Sequence, residues 1–165
     1  MAGFEAQKDK IGNFDWITEY DEIEGFLQSN YTGLTHINKK DTRVLVAGCG
    51  TSQLSFQLAN SGFGEIISVD NDEECISHMK KMHFGDERLK WYVYDMVEPE
   101  STSPSQEFLD NVLGKFDLIV DKGTLDAILV EGKYSNNAMT NAHFSLFPSF
   151  LLFFPSFLLC SFFLL

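Results

Sequence analysis

The stretch VLVAGCGTS at Val44–Ser52 decides the fold, because a short apolar run passes directly into a glycine turn. The run Arg43–Ala47 has the length and the β-branched content of a buried strand, and Ser52–Asn60 has a helical pattern. Gly48 and Gly50 would let the backbone turn sharply and approach a ligand without a Cβ in the way. The stretch therefore predicts a strand, a tight turn, and a helix whose first N–H groups face a ligand.

Comparable units follow along the chain. Short apolar runs alternate with helical patterns, which is typical of βαβ units and a parallel sheet. We therefore expect an α/β fold with three layers, α/β/α. The predicted strands are Arg43–Ala47, Ile66–Val69, Leu89–Tyr94 and Phe116–Val120, and the predicted helices are Ser52–Asn60, Glu73–Met82 and Gln106–Leu113.

The segment before the first strand has a different pattern. Trp16, Tyr20, Ile23 and Leu27 follow one another at steps of three and four residues, which favours an amphipathic helix. We treat residues 1–40 as an N-terminal helical and aromatic segment. Residues 41–133 are then the main domain.

Residues 134–165 form an apolar tail. No Asp, Glu, Lys or Arg occurs after Lys133, and Phe, Leu and Ser predominate. Residues 144–165 have about the length of a bilayer span, but Pro148 and Pro155 interrupt them and no basic residue flanks them. Of the two readings, a membrane anchor or a low-complexity end that replaces part of the domain, such as translated non-coding sequence, we favour the second.

Charge and cysteine content exclude several classes of protein. The net charge of −12 over 165 residues argues against nucleic acid and anionic membranes as partners, and favours either solubility or a basic protein partner. The three cysteines lack CxxC spacing, so the sequence predicts neither a disulfide framework nor a metal site. No secretory signal pattern opens the chain, and we expect a cytoplasmic protein.

Asp70 is the first candidate ligand outside the glycine turn. It ends the second predicted strand, about 20 residues after the glycines, where a carboxylate can accept hydrogen bonds from ribose hydroxyls. The alternative is that Asp70 caps the next helix, a role that Asn71 or Asp72 could fill instead. The third position of a dinucleotide fingerprint is Gln53 rather than Gly, which disfavours a nicotinamide-dependent oxidoreductase.

Two further strand ends carry polar side chains. Asp95 follows the third strand, and with the Met96 backbone it could contact adenine; the alternative is a loop carboxylate facing water. Asp121 ends the fourth strand and opens the turn DKGTLD, in which Lys122 and Thr124 follow. A carboxylate there could orient a positively charged group. The alternative is a polar turn in which Asp126 caps a helix.

These motifs together resemble the class I S-adenosylmethionine-dependent methyltransferases. The run DKGTLDAIL at Asp121–Leu129 is similar in particular to the elongation factor 1-alpha lysine methyltransferases, including the N-terminal half of their dual member. The segment FDWITEYDEIEGFL at Phe14–Leu27 resembles the aromatic segment that this family places over the cofactor site. The resemblance covers residues 14–133.

The resemblance implies a Rossmann-like fold, S-adenosylmethionine as cofactor, and a protein lysine as acceptor, with elongation factor 1-alpha as the candidate partner. It implies a catalytic role for Asp121 on the acceptor side. The implied cofactor-binding residues are Gly48, Cys49, Gly50, Asp70, Asn71, Asp95, Met96 and Asp121, and the implied substrate-side residues are Trp16, Tyr20, Lys122 and Thr124.

The chain departs from this family after Lys133. The fifth strand and the two last antiparallel strands of the family should follow, but the apolar tail matches the pattern of neither a strand nor a helix. We therefore expect an incomplete sheet whose edge at the fourth strand is either open or partly covered by the tail. An inactive product that keeps only part of the cofactor site is the alternative to an active enzyme.

Overall fold

The computed structural model describes residues 20–28, 38–96, 98, 101, 105–111, 115–124, 127 and 151–153. Helices and parallel strands alternate along most of this part of the chain. The elements are α1 (Tyr20–Gln28), a 3-10 helix (Lys39–Asp41), β1 (Arg43–Ala47), α2 (Leu54–Asn60), β2 (Glu65–Asp70), α3 (Glu73–Met82), β3 (Leu89–Val93), α4 (Gln106–Asn111), β4 (Leu118–Asp121) and β5 (Leu151–Phe153).

The strands form one parallel sheet in the order β3-β2-β1-β4-β5. The chain moves outward from β1 to β3 and then returns to the other side of β1, so the strand order reverses between β1 and β4. Ala47, the last residue of β1, lies opposite Val69 of β2 and Asp121 of β4. The carboxyl ends of these strands therefore meet at one edge, where ligands bind in open α/β sheets.

Both faces of the sheet are covered, because successive side chains of a strand point to opposite faces. On one face, Val44 and Val46 pack with Leu58 of α2 and Met79 of α3. On the other face, Leu45, Ile67 and Ile119 pack with Tyr94 and with Phe108 of α4. The expected three-layer α/β/α fold is confirmed.

The fourth strand begins later than the sequence predicted. We expected it at Phe116, but the strand starts at Leu118. The Arg43 amide donates to Oδ2 of Asp117 at 2.8 Å, and the Asp117 amide donates to the Arg43 carbonyl at 2.9 Å. A side-chain carboxylate thus replaces a backbone carbonyl at this position, and the regular ladder begins at the next residue.

The edge of β4 is not open, because the tail covers part of it. Residues 151–153 of the apolar tail form β5, parallel to β4, with Ile119 opposite Leu151 and Asp121 opposite Phe153. The expectation that the tail contains no strand is therefore wrong for these three residues. Backbone hydrogen bonds between strands do not depend on the side-chain pattern. A low-complexity apolar segment can therefore pair with the exposed edge of a sheet.

No described helix has the length and hydropathy required to cross a membrane. The division of the chain at residues 40 and 133 remains a prediction.

Candidate functional site

The turn after β1 depends on glycine at two positions. Gly48 and Gly50 have φ angles of +59° and +51°, in the left-handed region that residues with a Cβ rarely adopt. Between them, the Cys49 amide donates to the carbonyl of Val69 at 2.9 Å, which holds the turn across the end of β2. Ser52 Oγ then accepts from the Leu54 amide at 3.1 Å, where α2 begins.

Asp70 connects this turn to the end of β2. Its Oδ2 accepts from the Gly50 amide at 2.8 Å, and its Oδ1 accepts from the Asp72 amide at 3.0 Å. The cap of α3 is Asp72, whose Oδ1 accepts from the amides of Glu74 and Cys75. Asp70 is thus not the helix cap, which was the alternative to its role as a ligand. Each carboxylate oxygen has about two lone pairs, so each retains acceptor capacity.

Asn71 and Asp95 lie together beside Asp70. Asn71 Nδ2 is 3.5 Å from Asp95 Oδ2, and Asp95 Oδ1 accepts from the Glu98 amide at 2.9 Å. Asn71 is exposed and Asp95 is half-buried. The Met96 side chain is buried in the core, which leaves its backbone as the part that could contact adenine. The structure therefore brings these three predicted cofactor residues to the same edge.

Asp121 is 2% exposed at the end of β4. Its Oδ1 accepts from the amides of Gly123 and Thr124, at 3.0 Å each, so that this carboxylate holds the turn that follows the strand. Asp126, the alternative cap, lies outside the described residues. These contacts are structural, and the catalytic role of Asp121 remains a prediction. Lys122 is half-buried in the same turn.

Thr124 contacts the glycine turn. Its Oγ1 donates to the carbonyl of Ala47 at 2.9 Å and lies 3.3 Å from the carbonyl of Gly48. The sequence predicted Thr124 on the substrate side, but the hydroxyl points into the backbone at the end of β1. The described hydrogen bonds therefore place this hydroxyl against the glycine turn, a contact that the sequence pattern did not indicate.

Cys49 packs inward. Its side chain is 4% exposed and belongs to the core on the α2 and α3 face. A hydrogen bond with Cys75, together with burial and the nearby Asp70 carboxylate, raises the pKa of the Cys49 thiol well above its ordinary value. The thiol is therefore neutral near pH 7, which suits a packing residue. A nucleophilic cysteine would instead be a thiolate.

Tyr20, the first described residue of the aromatic segment before β1, lies away from this site. Tyr20 of α1 lies near Ser61, just after the end of α2, and burial raises the pKa of its hydroxyl. Glu24 is 3.9 Å from Lys39, whose ammonium group donates to the Ser61 carbonyl. These contacts lie at the amino end of β1, opposite the glycine turn. The predicted substrate-side position of Tyr20 is thus corrected, and Trp16 lies outside the described residues.

Within the described ranges, no cluster of three His, Cys, Asp or Glu side chains is arranged to hold a metal ion. The described groups gathered at the carboxyl edge are instead backbone amides, carboxylates and hydroxyls. Such a set can bind the hydroxyl and amine groups of a nucleoside.

Comparison with known proteins identifies the family of the chain. A methyltransferase domain family matches residues 38–145, which include every strand end of the site. The chain is 33% identical over 119 residues to the eEF1A lysine and N-terminal methyltransferase of Bos taurus, an alignment that covers 72% of this chain and 15% of the relative. It is 29% identical over 118 residues to EEF1A lysine methyltransferase 4 of Mus musculus, over 72% of this chain and 40% of the relative.

A solved structure shares the fold. Magnesium protoporphyrin IX methyltransferase from Synechocystis PCC 6803, determined with bound SAH, superposes with a TM-score of 0.55 at 17% identity, covering 92% of this chain and 66% of that one. The chain belongs to the methyltransferase domain family, and its fold is the Rossmann-like fold of the S-adenosylmethionine-dependent methyltransferases.

Proposed function

We propose that this chain binds S-adenosylmethionine and transfers its methyl group to a lysine side chain of a protein. The observation that carries the proposal is the convergence of the glycine turn, Asp70 and Asp95 at the carboxyl edge of the sheet. This edge lies beside the point where the strand order reverses, between β1 and β4.

The residues at this edge fit the cofactor. A Cβ built on Gly50 would meet no described atom within 4 Å, so the described residues leave room for a ligand beside the turn. Each carboxylate oxygen of Asp70 has a lone pair that is not used by the Gly50 or Asp72 amide. With these lone pairs Asp70 would accept hydrogen bonds from the ribose hydroxyls. Asp95, Asn71 and the Met96 backbone would contact adenine, and the glycine turn would pass along the methionine part.

S-adenosylmethionine supplies a methyl group already activated for transfer, so the protein needs no covalent intermediate. The work of the chain is then to hold the acceptor amine in line and unprotonated. The net charge of −12 favours a basic protein as the partner that brings a lysine. The two relatives named above are eEF1A lysine methyltransferases by name, and we propose elongation factor 1-alpha as the first substrate to test.

The chain spans 15% and 40% of the length of those relatives. Binding and transfer are therefore tested separately. Isothermal titration of the whole chain with S-adenosylhomocysteine, and in parallel with NADH, tests the site. We expect saturable binding of the first ligand alone. Absence of heat at millimolar S-adenosylhomocysteine would overturn the proposal, and binding of NADH in its place would favour an oxidoreductase.

Transfer is measured with S-adenosylmethionine carrying a tritiated methyl group and recombinant elongation factor 1-alpha. The control substrate is the same protein after acetylation of its lysines, which removes the nucleophilic lone pair of each amine. We expect label only on the unmodified substrate. Cofactor binding without label on any lysine would support the alternative, a chain that retains the binding site without the transferase activity.

We propose the cytoplasm as the compartment, because Cys49 and Cys75 are free thiols, as is usual in a reducing environment. Cys160 lies outside the described residues. Fractionation of cells that express the tagged chain would test this location.

A further inference from the structure

The turn that follows β4 and the turn that follows β1 are in direct contact through one side chain. Thr124 Oγ1 donates to the Ala47 carbonyl at 2.9 Å and lies 3.3 Å from the Gly48 carbonyl. These two carbonyls flank the first residue of the glycine turn. A hydroxyl at position 124 therefore fixes the orientation of the peptide groups with which that turn begins.

The contact is also steric. A Cβ built on Gly48 would lie 1.9 Å from Thr124 Oγ1, 2.6 Å from its Cγ2 and 2.7 Å from its Cβ. The threonine side chain thus occupies the space that glycine leaves at position 48. By contrast, a Cβ on Gly50 would meet no described atom within 4 Å. The two glycines therefore have different surroundings among the described residues: Gly48 faces Thr124, and no side chain fills the space beside Gly50.

Asp121 orients Thr124. Its buried carboxylate accepts hydrogen bonds from the amides of Gly123 and Thr124, at 3.0 Å each, which fixes the backbone that carries the threonine. Since Asp121 lies opposite Ala47 in the β1–β4 register, both ends of this connection are anchored in neighbouring strands. Asp121 thus contacts Thr124, and Thr124 contacts Gly48, so that the contacts run without a break across the edge of the sheet.

We propose that Thr124 is a positioning residue for the cofactor: its hydroxyl holds the glycine turn in the shape that binds the methionine part of S-adenosylmethionine. This inference rests on the proposed function. It assigns to Thr124 a role through the glycine turn, in place of direct contact with the acceptor substrate. Asp121 then acts indirectly, because its carboxylate holds the backbone of Thr124.

The test compares Thr124→Val, which keeps the shape and removes the hydroxyl, with Thr124→Ser, which keeps the hydroxyl. Thr42→Val is the matched control, because Thr42 is 4% exposed and its hydroxyl also donates to a backbone carbonyl, that of Asn38, at 2.9 Å. Thr42 precedes β1, at the end of the sheet away from the site. For each variant of the whole chain, the Kd for S-adenosylhomocysteine is measured by titration and the Tm is measured without ligand.

We expect Thr124→Val to raise the Kd about five- to tenfold, the loss expected for a hydrogen bond that shapes a site. Thr124→Ser should restore the wild-type Kd within about twofold, on the same scale of hydrogen-bond energies. Thr42→Val should lower the Tm and leave the Kd unchanged.

An unchanged Kd in Thr124→Val, with the wild-type chain binding normally, would overturn the inference and leave the proposed function standing. Equal increases in Kd for Thr124→Val and Thr42→Val would also overturn it, because they would reflect general loosening of the fold. Absence of binding by the wild-type chain would overturn the proposed function and this inference with it.

Discussion

The carboxylate of Asp70 accepts a hydrogen bond from the Gly50 amide, with 2.8 Å between Oδ2 and N. The end of β2 thereby fixes the second glycine of the turn after β1. We expect Asp70→Ala to weaken S-adenosylmethionine binding by about 1–3 kcal/mol, since hydrogen bonds to a charged group are lost. Titration calorimetry measures the change, and Asp70→Asn should fall between the wild type and the alanine variant.

Asp72→Ala is the matched control for this prediction. Asp72 is two residues away and caps α3 through the amides of Glu74 and Cys75. Its loss should reduce the free energy of unfolding by about 1 kcal/mol, as for other N-caps, without changing cofactor affinity. Equal affinities of the Asp70 and Asp72 variants would remove Asp70 from the binding site.

A second prediction concerns two glycines outside the site. A Cβ on Gly64 would lie 1.8 Å from the Lys40 carbonyl oxygen, which belongs to the backbone, whereas a Cβ on Gly25 in α1 would meet no described atom within 4 Å. We expect Gly64→Ala to destabilise the fold by about 1–3 kcal/mol. Gly25→Ala should stabilise it by about 0.5–1 kcal/mol, because alanine favours a helix. Urea denaturation of both variants gives the free energies, and similar values would contradict the contact at Gly64.

The strand ends could be predicted from sequence because of a simple geometric rule. Parallel strands place their carboxyl ends at one edge, so the residues that follow β1, β2, β3 and β4 had to converge. The acidic residues Asp70, Asp95 and Asp121 could therefore be grouped from their positions after apolar runs. The register that pairs Ala47 with Val69 and with Asp121 follows the same rule.

The direction of individual side chains could not be predicted in the same way. Thr124 and Gly48 are 76 positions apart, and no pattern within either motif indicates their contact. The spacing of Tyr20 and Ile23 indicates a helix with one buried face, which the burial of Ile23 confirms. Periodicity does not determine at which end of the sheet that helix packs, and Tyr20 proved to lie at the end opposite the glycine turn.

A third prediction follows from Glu65, which contacts both Lys90 and Arg43. Burial alone would raise the pKa of this carboxyl, but hydrogen bonds from Lys90 and Arg43 outweigh burial and lower it. A lowered folded-state pKa stabilises the protein above the unfolded-state pKa, and the contribution disappears as the pH falls through the folded-state value. The free energy of unfolding should therefore fall as the pH drops below about 4.3.

Glu65→Gln should flatten this part of the stability curve, measured by urea denaturation at a series of acidic pH values. Glu87→Gln, at an exposed glutamate, is the control and should keep the wild-type slope. Identical slopes in all three proteins would show that Glu65 does not contribute to the acid dependence.

The last prediction concerns His83, whose ring stacks between Phe56 and Trp91, with centroid distances of 5.1 and 5.8 Å. Its Nε2 is buried and has no hydrogen-bond partner among the described residues. Burial, together with the nearby His78, lowers the pKa of His83, although Asp86 acts in the opposite direction. The folded protein therefore holds the neutral ring at a pH at which the unfolded chain already binds a proton. In that window the unfolded state carries more protons, so stability rises with pH and falls as the pH drops below about 6.5.

His83→Phe keeps an aromatic ring between Phe56 and Trp91 and has no proton to bind. Its free energy of unfolding, measured by urea denaturation between neutral and mildly acidic pH, should exceed that of the wild type by a margin that grows as the pH falls. Parallel curves for the two proteins would contradict the prediction, because they would show that the protonation of His83 is not linked to unfolding.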